Sequence, residues 1–173
     1  MQIAPYNYDG VERTSAARLR EVQVQNMKDI PNSGMVTTLD IGDPLMIHPA
    51  DKKTVGKRLA YWALGTTYNR LKHGYAPPLY KSMEIRGNEI AVSFDNIEHG
   101  LCPMYVEVDG FELAGSDKKF YPAKAIVKGG KVIVKSESVQ SPVAVRYAYK
   151  NYATASIYNS YGIPASSFRS DDW

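Results

Sequence analysis

Apolar and polar positions along this chain follow two periods, and the change from one to the other falls near residues 70 to 80. Before it, Gln2 to Tyr6 reads as a short buried strand, followed by a turn over Asn7 to Gly10. A helix is predicted from Thr14 or Ser15, either of which can cap, to about Asp29, with Ala16, Leu19, Met27 and Ile30 on one stripe. Pro31 stops it. The run from Met35 to Ile41, nearly all apolar or β-branched, has the character of a strand buried on both faces. A second helix is predicted from Pro49, with Asp51 near its positive end and Val55, Leu59, Trp62, Ala63 and Thr66 on the face toward a sheet. Gly56 costs that helix roughly 1 kcal/mol relative to Ala, which close approach of a neighbouring backbone would explain. Strand, helix, strand, helix is the pattern of a parallel sheet covered by helices.

After Gly74 the helical period stops. The proline-rich connection YAPPLY leads to alternation of period two: Met83 and Ile85, a Gly-Asn turn, then Ile90, Val92 and Phe94. AKAIVKGGKVIVKS reads as a hairpin closed by Gly129-Gly130, and Val143, Val145, Tyr147 and Tyr149 alternate onto one face. Short strands at this spacing predict an antiparallel β-sandwich.

Composition narrows the function classes. A chain of 173 residues, 44% hydrophobic, can bury one sizeable core or two small ones. The single Cys102 excludes an internal disulfide framework and a cysteine metal cluster. A net charge of +3 with interleaved signs gives no basic block, so no nucleic-acid partner is expected. No apolar run approaches the length of a membrane span, and MQIAPYNYDG is not a signal peptide. His73 and His99 fall near turns, and three scattered histidines do not predict a metal site.

Catalytic chemistry concentrates at His48, in a turn between the second strand and the second helix, where α/β folds present their reacting groups. The helix dipole there disfavours imidazolium and keeps a neutral base, which is what proton abstraction from a serine hydroxyl requires. Asp40 and Asp43 lie a few residues upstream; Asp43 is the candidate orienting acid for the other ring nitrogen. Lys52 and Arg58 are placed on the exposed side of the helix, and Arg146 in a structural ion pair.

The same stretch, DIGDPLMIHPADKKTVGKRLAYWAL, resembles the histidine block of the sialate O-acetylesterase family, a branch of the SGNH hydrolases. Ile47, His48, Pro49, Lys52, Val55, Gly56, Arg58, Leu59 and Ala60 fall in register with it. QIAPYNY and LREVQVQNM upstream, and FELAGSDKKFYPAKAIV, SPVAVRYAY and IPASSFRSDDW downstream, extend the resemblance over essentially the whole chain. Two positions depart from the pattern. Leu45 stands where many of these enzymes have an aspartate three residues before the histidine. The Gly-Asp-Ser nucleophile block and the oxyanion blocks are absent, because the one Gly-Asp pair, Gly42-Asp43, continues into Pro44.

The resemblance implies a fold in two parts. Residues 1–74 would be the C-terminal segment of an SGNH-type three-layer α/β/α hydrolase domain, and residues 75–173 an antiparallel, jelly-roll-like β-sandwich. It implies an O-acetylated sugar as substrate, hydrolysis by a Ser-His(-Asp) mechanism with His48 as general base, no cofactor, and a secreted or periplasmic setting. The nucleophile would come from the N-terminal half of the same enzyme, as a separate chain or a further segment, lying alongside Gln2 to Tyr6 or Met35 to Ile41. The alternative is a noncatalytic carbohydrate-binding or structural module, with Tyr147, Tyr149, Tyr152 and Tyr158 as stacking residues.

Overall fold

Pairing between strands that follow one another through tight turns dominates the architecture. The computed structural model describes residues 1–173. Two helices come first, α1 (Ser15–Asp29) and α2 (Lys52–Thr66). Nine strands follow: β1 (Leu79–Arg86), β2 (Glu89–Asp95), β3 (Leu101–Cys102), β4 (Glu107–Ala114), β5 (Phe120–Lys128), β6 (Lys131–Lys135), β7 (Ala144–Tyr147), β8 (Tyr158–Asn159) and β9 (Phe168–Arg169). Seven form one antiparallel sheet in the order β1-β2-β6-β5-β4-β7-β9, and β3 pairs with β8 apart from it.

Both hairpins anticipated from the sequence are present. Gly129 and Gly130 have φ of 59° and 73°, the left-handed values that a two-residue turn between twisted strands demands, and Lys128 pairs with Lys131 across it. Register shifts in β1 at Tyr80/Ser82 and in β4 at Val108/Phe111 bend the sheet. Its two edges nearly meet. The Ser166 N–H donates to the Pro78 carbonyl at 3.2 Å, and the Tyr80 and Phe168 rings stack at 4.6 Å. Inside the curl lie Ile90, Val92, Phe111, Leu113, Val127, Val132, Val134, Val145, Tyr147 and Ile157, all buried.

The expected fold class is therefore corrected on both counts. A three-layer α/β/α arrangement needs a ladder of parallel strands. The Gln2–Tyr6 and Met35–Ile41 segments are largely buried, the second turning at Leu39–Asp40, yet they share one backbone hydrogen bond, Gln2 N–H to Val36 carbonyl at 2.9 Å, and join no sheet. The second part is not a sandwich of two facing sheets, because one antiparallel sheet curls into a nearly closed barrel. Apolar runs and alternation report burial and period; the number of neighbouring strands is set by pairing partners distant in sequence.

The helices correct the finer expectations. On α1, Ala16, Ala17 and Arg20 are buried while Leu19 and Ile30 are exposed. Small alanines let the helix approach the barrel closely. Its first free N–H groups are met from there: Ala16 N–H donates to Asn151 Oδ1 at 2.8 Å, while Thr14 makes no side-chain cap. α2 starts at Lys52 rather than Pro49, and Asp51 caps it by accepting from Thr54 N–H at 2.9 Å and Thr54 Oγ1 at 2.6 Å. Gly56 faces open space, so close approach does not explain it. The crowded helical glycine is Gly65, where a Cβ would meet the Tyr75 ring at 2.3 Å.

Arg20 joins α1 to the last third of the chain. Fully buried, it donates through Nε to Ser167 Oγ at 3.0 Å and through its Nη atoms to the carbonyls of Ala148, Lys150 and Asn151. Burial pushes its guanidinium down to about 10, so it stays charged at neutral pH.

Five tyrosines give the fold an alkaline limit. Burial raises the pKa of Tyr8, Tyr80, Tyr147, Tyr149 and Tyr158, with Tyr149 also donating to Glu21 at 2.5 Å. Unfolded, these phenols ionise near 10; folded, they hold their protons. Stability from raised phenols is complete below pH about 10 and is lost as pH rises above it. Arg20, depressed by burial, works in the opposite sense over the same interval, but it is one group against five. The expected result is a melting temperature that falls above pH about 10.

Candidate active site

Four features fix the path of the segment between Leu39 and Lys52. Gly42 lies so close to Pro5 that a Cβ would sit 2.5 Å from its carbonyl oxygen. Asp43 Oδ1 accepts the N–H groups of Leu45 at 2.7 Å and Met46 at 3.1 Å, turning the chain. Pro49 is buried. The base is clamped by Arg58, which donates to the Thr37 carbonyl at 2.9 Å and forks onto the Asp40 carboxylate at 2.8 and 2.6 Å.

His48 is exposed on this loop, four residues ahead of α2, and forms no hydrogen bond within the chain. The helix terminus itself is occupied by the Asp51 carboxylate. Asp43 holds its own turn and does not bond His48; Asp40 is engaged by Arg58. Just before His48, Leu45, Met46 and Ile47 are all exposed, Leu45 to 89%. Three consecutive large apolar side chains in water beside a histidine mark a surface suited to being covered.

Arg58 corrects the expectation that it lies on the outer side of the helix. It is buried, on the same face as the half-buried Val55 and Trp62, and it ties the end of the extended stretch to α2. It positions the loop that carries His48 without touching it. A complementary outcome is expected for Gly42→Ala. The added methyl has no room against Pro5, so the loop must shift, at a cost of about 1 to 3 kcal/mol readable as a lower denaturation midpoint.

The other candidates separate clearly. Tyr147 and Tyr149 are buried, so neither presents a ring to a sugar; Tyr152 and Tyr158 are half-buried. Arg146 forms the expected ion pair, bidentate to Asp171 at 2.9 and 2.6 Å, and lies 3.8 Å over the Phe120 ring. His73 and His99 are exposed and meet edge to face at 5.3 Å. No three His, Cys, Asp or Glu side chains are grouped as a metal site, and no helix is long and apolar enough to cross a membrane.

No family model matches the sequence, and comparison with curated proteins finds no match. Among solved structures, the chain is similar to a carbohydrate acetylesterase from Xanthomonas citri, with 36% sequence identity and a TM-score of 0.90. The match covers 99% of this chain and 40% of that one, so this chain spans about two-fifths of the length of the solved enzyme. In fold and in sequence, then, this chain resembles about two-fifths of a carbohydrate acetylesterase.

Proposed function

We propose that this chain is the C-terminal part of a carbohydrate O-acetylesterase, and that His48 is its general base. The reading rests above all on the 36% identity to a carbohydrate acetylesterase across 99% of the chain. Exposure of His48 beside Leu45, Met46 and Ile47 supports it, since a base that serves a serine on another segment must lie where that segment docks. Residues 1–74 form the part that meets the nucleophile-bearing segment, and residues 75–173 form an accessory β domain.

In the proposed reaction, a serine supplied by the other segment attacks the acetyl carbonyl of an O-acetylated sugar, such as an O-acetylated sialic acid. His48 takes the serine proton and returns it to the departing sugar hydroxyl. Water, deprotonated by the same imidazole, then releases acetate and regenerates the serine. The ring needs an orienting acceptor in the assembled site. Asp43 fills that role if its second carboxylate oxygen turns toward the imidazole; otherwise the acceptor comes from the docked segment.

A base without a nucleophile or an oxyanion hole supplies little rate. The isolated chain is therefore expected to show no turnover of an activated acetyl ester, and to gain it when a polypeptide carrying the Gly-Asp-Ser block is added. Turnover by the isolated chain that disappears in His48→Ala would overturn the division of the site between two segments.

A further inference from the structure

Alternation along β5 and β6 sends Ala125, Val127, Val132 and Val134 into the barrel and presents Lys124, Ile126, Lys128, Lys131, Ile133 and Lys135 on its outer face. Register then sets lysine against lysine. Lys124 stands directly opposite Lys135, and Lys128 opposite Lys131, with the Ile126–Ile133 pair between them. Like charges directly opposed across an antiparallel pair destabilise it. Relief by carboxylates is partial. Lys131 reaches Glu84 at 3.3 Å and Lys124 reaches Glu107 at 3.9 Å; Lys135 has Glu89 directly opposite it on β2 without forming an ion pair, and Lys128 forms none. The face is also concave, a groove of about 1260 Å³ whose lining adds Arg86 to the four lysines and sets the carboxylates of Glu89, Glu107 and Glu137 among them.

We infer that this groove binds an acidic polysaccharide, a chain of uronic acid residues. The lysine pairs repel across the hairpin, and an anion lying between them relieves that repulsion. Lys124 and Lys128, four residues apart along a strand, set cations about 13 Å apart, a spacing that engages carboxylates on separate sugars of one chain. Ile126, 41% exposed, and Ile133 offer an apolar strip for the C–H face of a pyranose ring. Glu89, Glu107 and Glu137 can accept hydrogen bonds from sugar hydroxyls, which a uronate chain carries beside its carboxylates and duplex DNA does not. The choice of a glycan among polyanions rests on the proposed esterase function. The groove would hold an acidic polymer while its acetyl groups are removed elsewhere.

The test is binding of polygalacturonate to the 173-residue chain, with neutral galactan and duplex DNA as comparisons. It involves no turnover, so its failure is distinct from failure of the esterase reading. Expected are salt-sensitive binding of polygalacturonate, little of galactan, weaker binding of DNA, and about a tenfold loss of affinity in Lys128→Gln/Lys135→Gln. The melting temperature of that variant should be unchanged or raised, because the substitutions remove a repulsion. Galactan bound as well as polygalacturonate, DNA bound as tightly, or affinity unchanged in the double variant would each overturn the proposal.

Discussion

In the proposed enzyme, assembled from this chain and a nucleophile-bearing segment, His48→Ala is expected to lower kcat by about 10,000-fold, with little change in KM. The magnitude follows from the role: without a base, the serine hydroxyl attacks as a neutral alcohol, and the leaving hydroxyl departs without a proton donor. KM changes little because a proton-transfer group acts in the transition state rather than in ground-state binding. Stability is the control. His48 is exposed and bonded to nothing in the chain, so the substitution should move the melting temperature by no more than an ordinary surface change. Asp43→Asn separates the two sources of orientation. If Asp43 holds the imidazole, kcat falls steeply; if it serves only the turn at Leu45 and Met46, kcat holds, since an asparagine side-chain oxygen accepts the same N–H groups.

Arg20→Ala carries the largest expected effect on stability, a loss of about 4 kcal/mol, or roughly 10 °C in melting temperature. The guanidinium is fully buried and satisfies Ser167 Oγ and three backbone carbonyls between Ala148 and Asn151. Truncation leaves the Ala148 and Lys150 carbonyls without donors and that of Asn151 with only the Tyr6 N–H, and opens a cavity between α1 and the barrel. Arg20→Lys should recover little, because one ammonium cannot reproduce the spread of a planar fork. Thermal unfolding of both variants, beside Leu19→Ala on the exposed face of the same helix, checks the ranking. The control should lie close to the parent protein.

How much of this was legible in the sequence depends on the distance over which each feature is decided. The β1–β2 and β5–β6 hairpins were readable because their turns and alternation lie within about twenty residues, and Gly129-Gly130 left little choice of turn. The lysine ladder was readable too. Once AKAIVKGGKVIVKS is a hairpin, its lysines must share one face, although as a linear sequence they look like interleaved, unremarkable charges. The curl of the sheet into a barrel was not readable, since it depends on bulges in β1 and β4 and on contacts between Tyr80 and Phe168 at opposite ends of the β region.

Near the site, the same division holds. His48, in its loop before a helix, was visible as a residue type in a pattern. The work of Arg58 was not, because hydrophobic periodicity assigns an arginine to the solvent face, while a carboxylate eighteen residues upstream draws it inside. Likewise, the α1 stripe was assigned to Ala16, Leu19, Met27 and Ile30 because they are apolar, and of these only Ala16 is buried. The buried side contains Ala16, Ala17 and Arg20, since Asn151 and the carbonyls around it supply partners that no local pattern reveals.

The central claim is that His48 of this chain activates a serine that lies outside it. Labelling the assembled enzyme with a phosphonate ester that traps activated serines, then locating the label by mass spectrometry, tests this directly. The expected result is label on the serine of the added Gly-Asp-Ser segment, present with the parent chain and lost with His48→Ala. Label on a serine of this chain, or labelling that persists in His48→Ala, would contradict it.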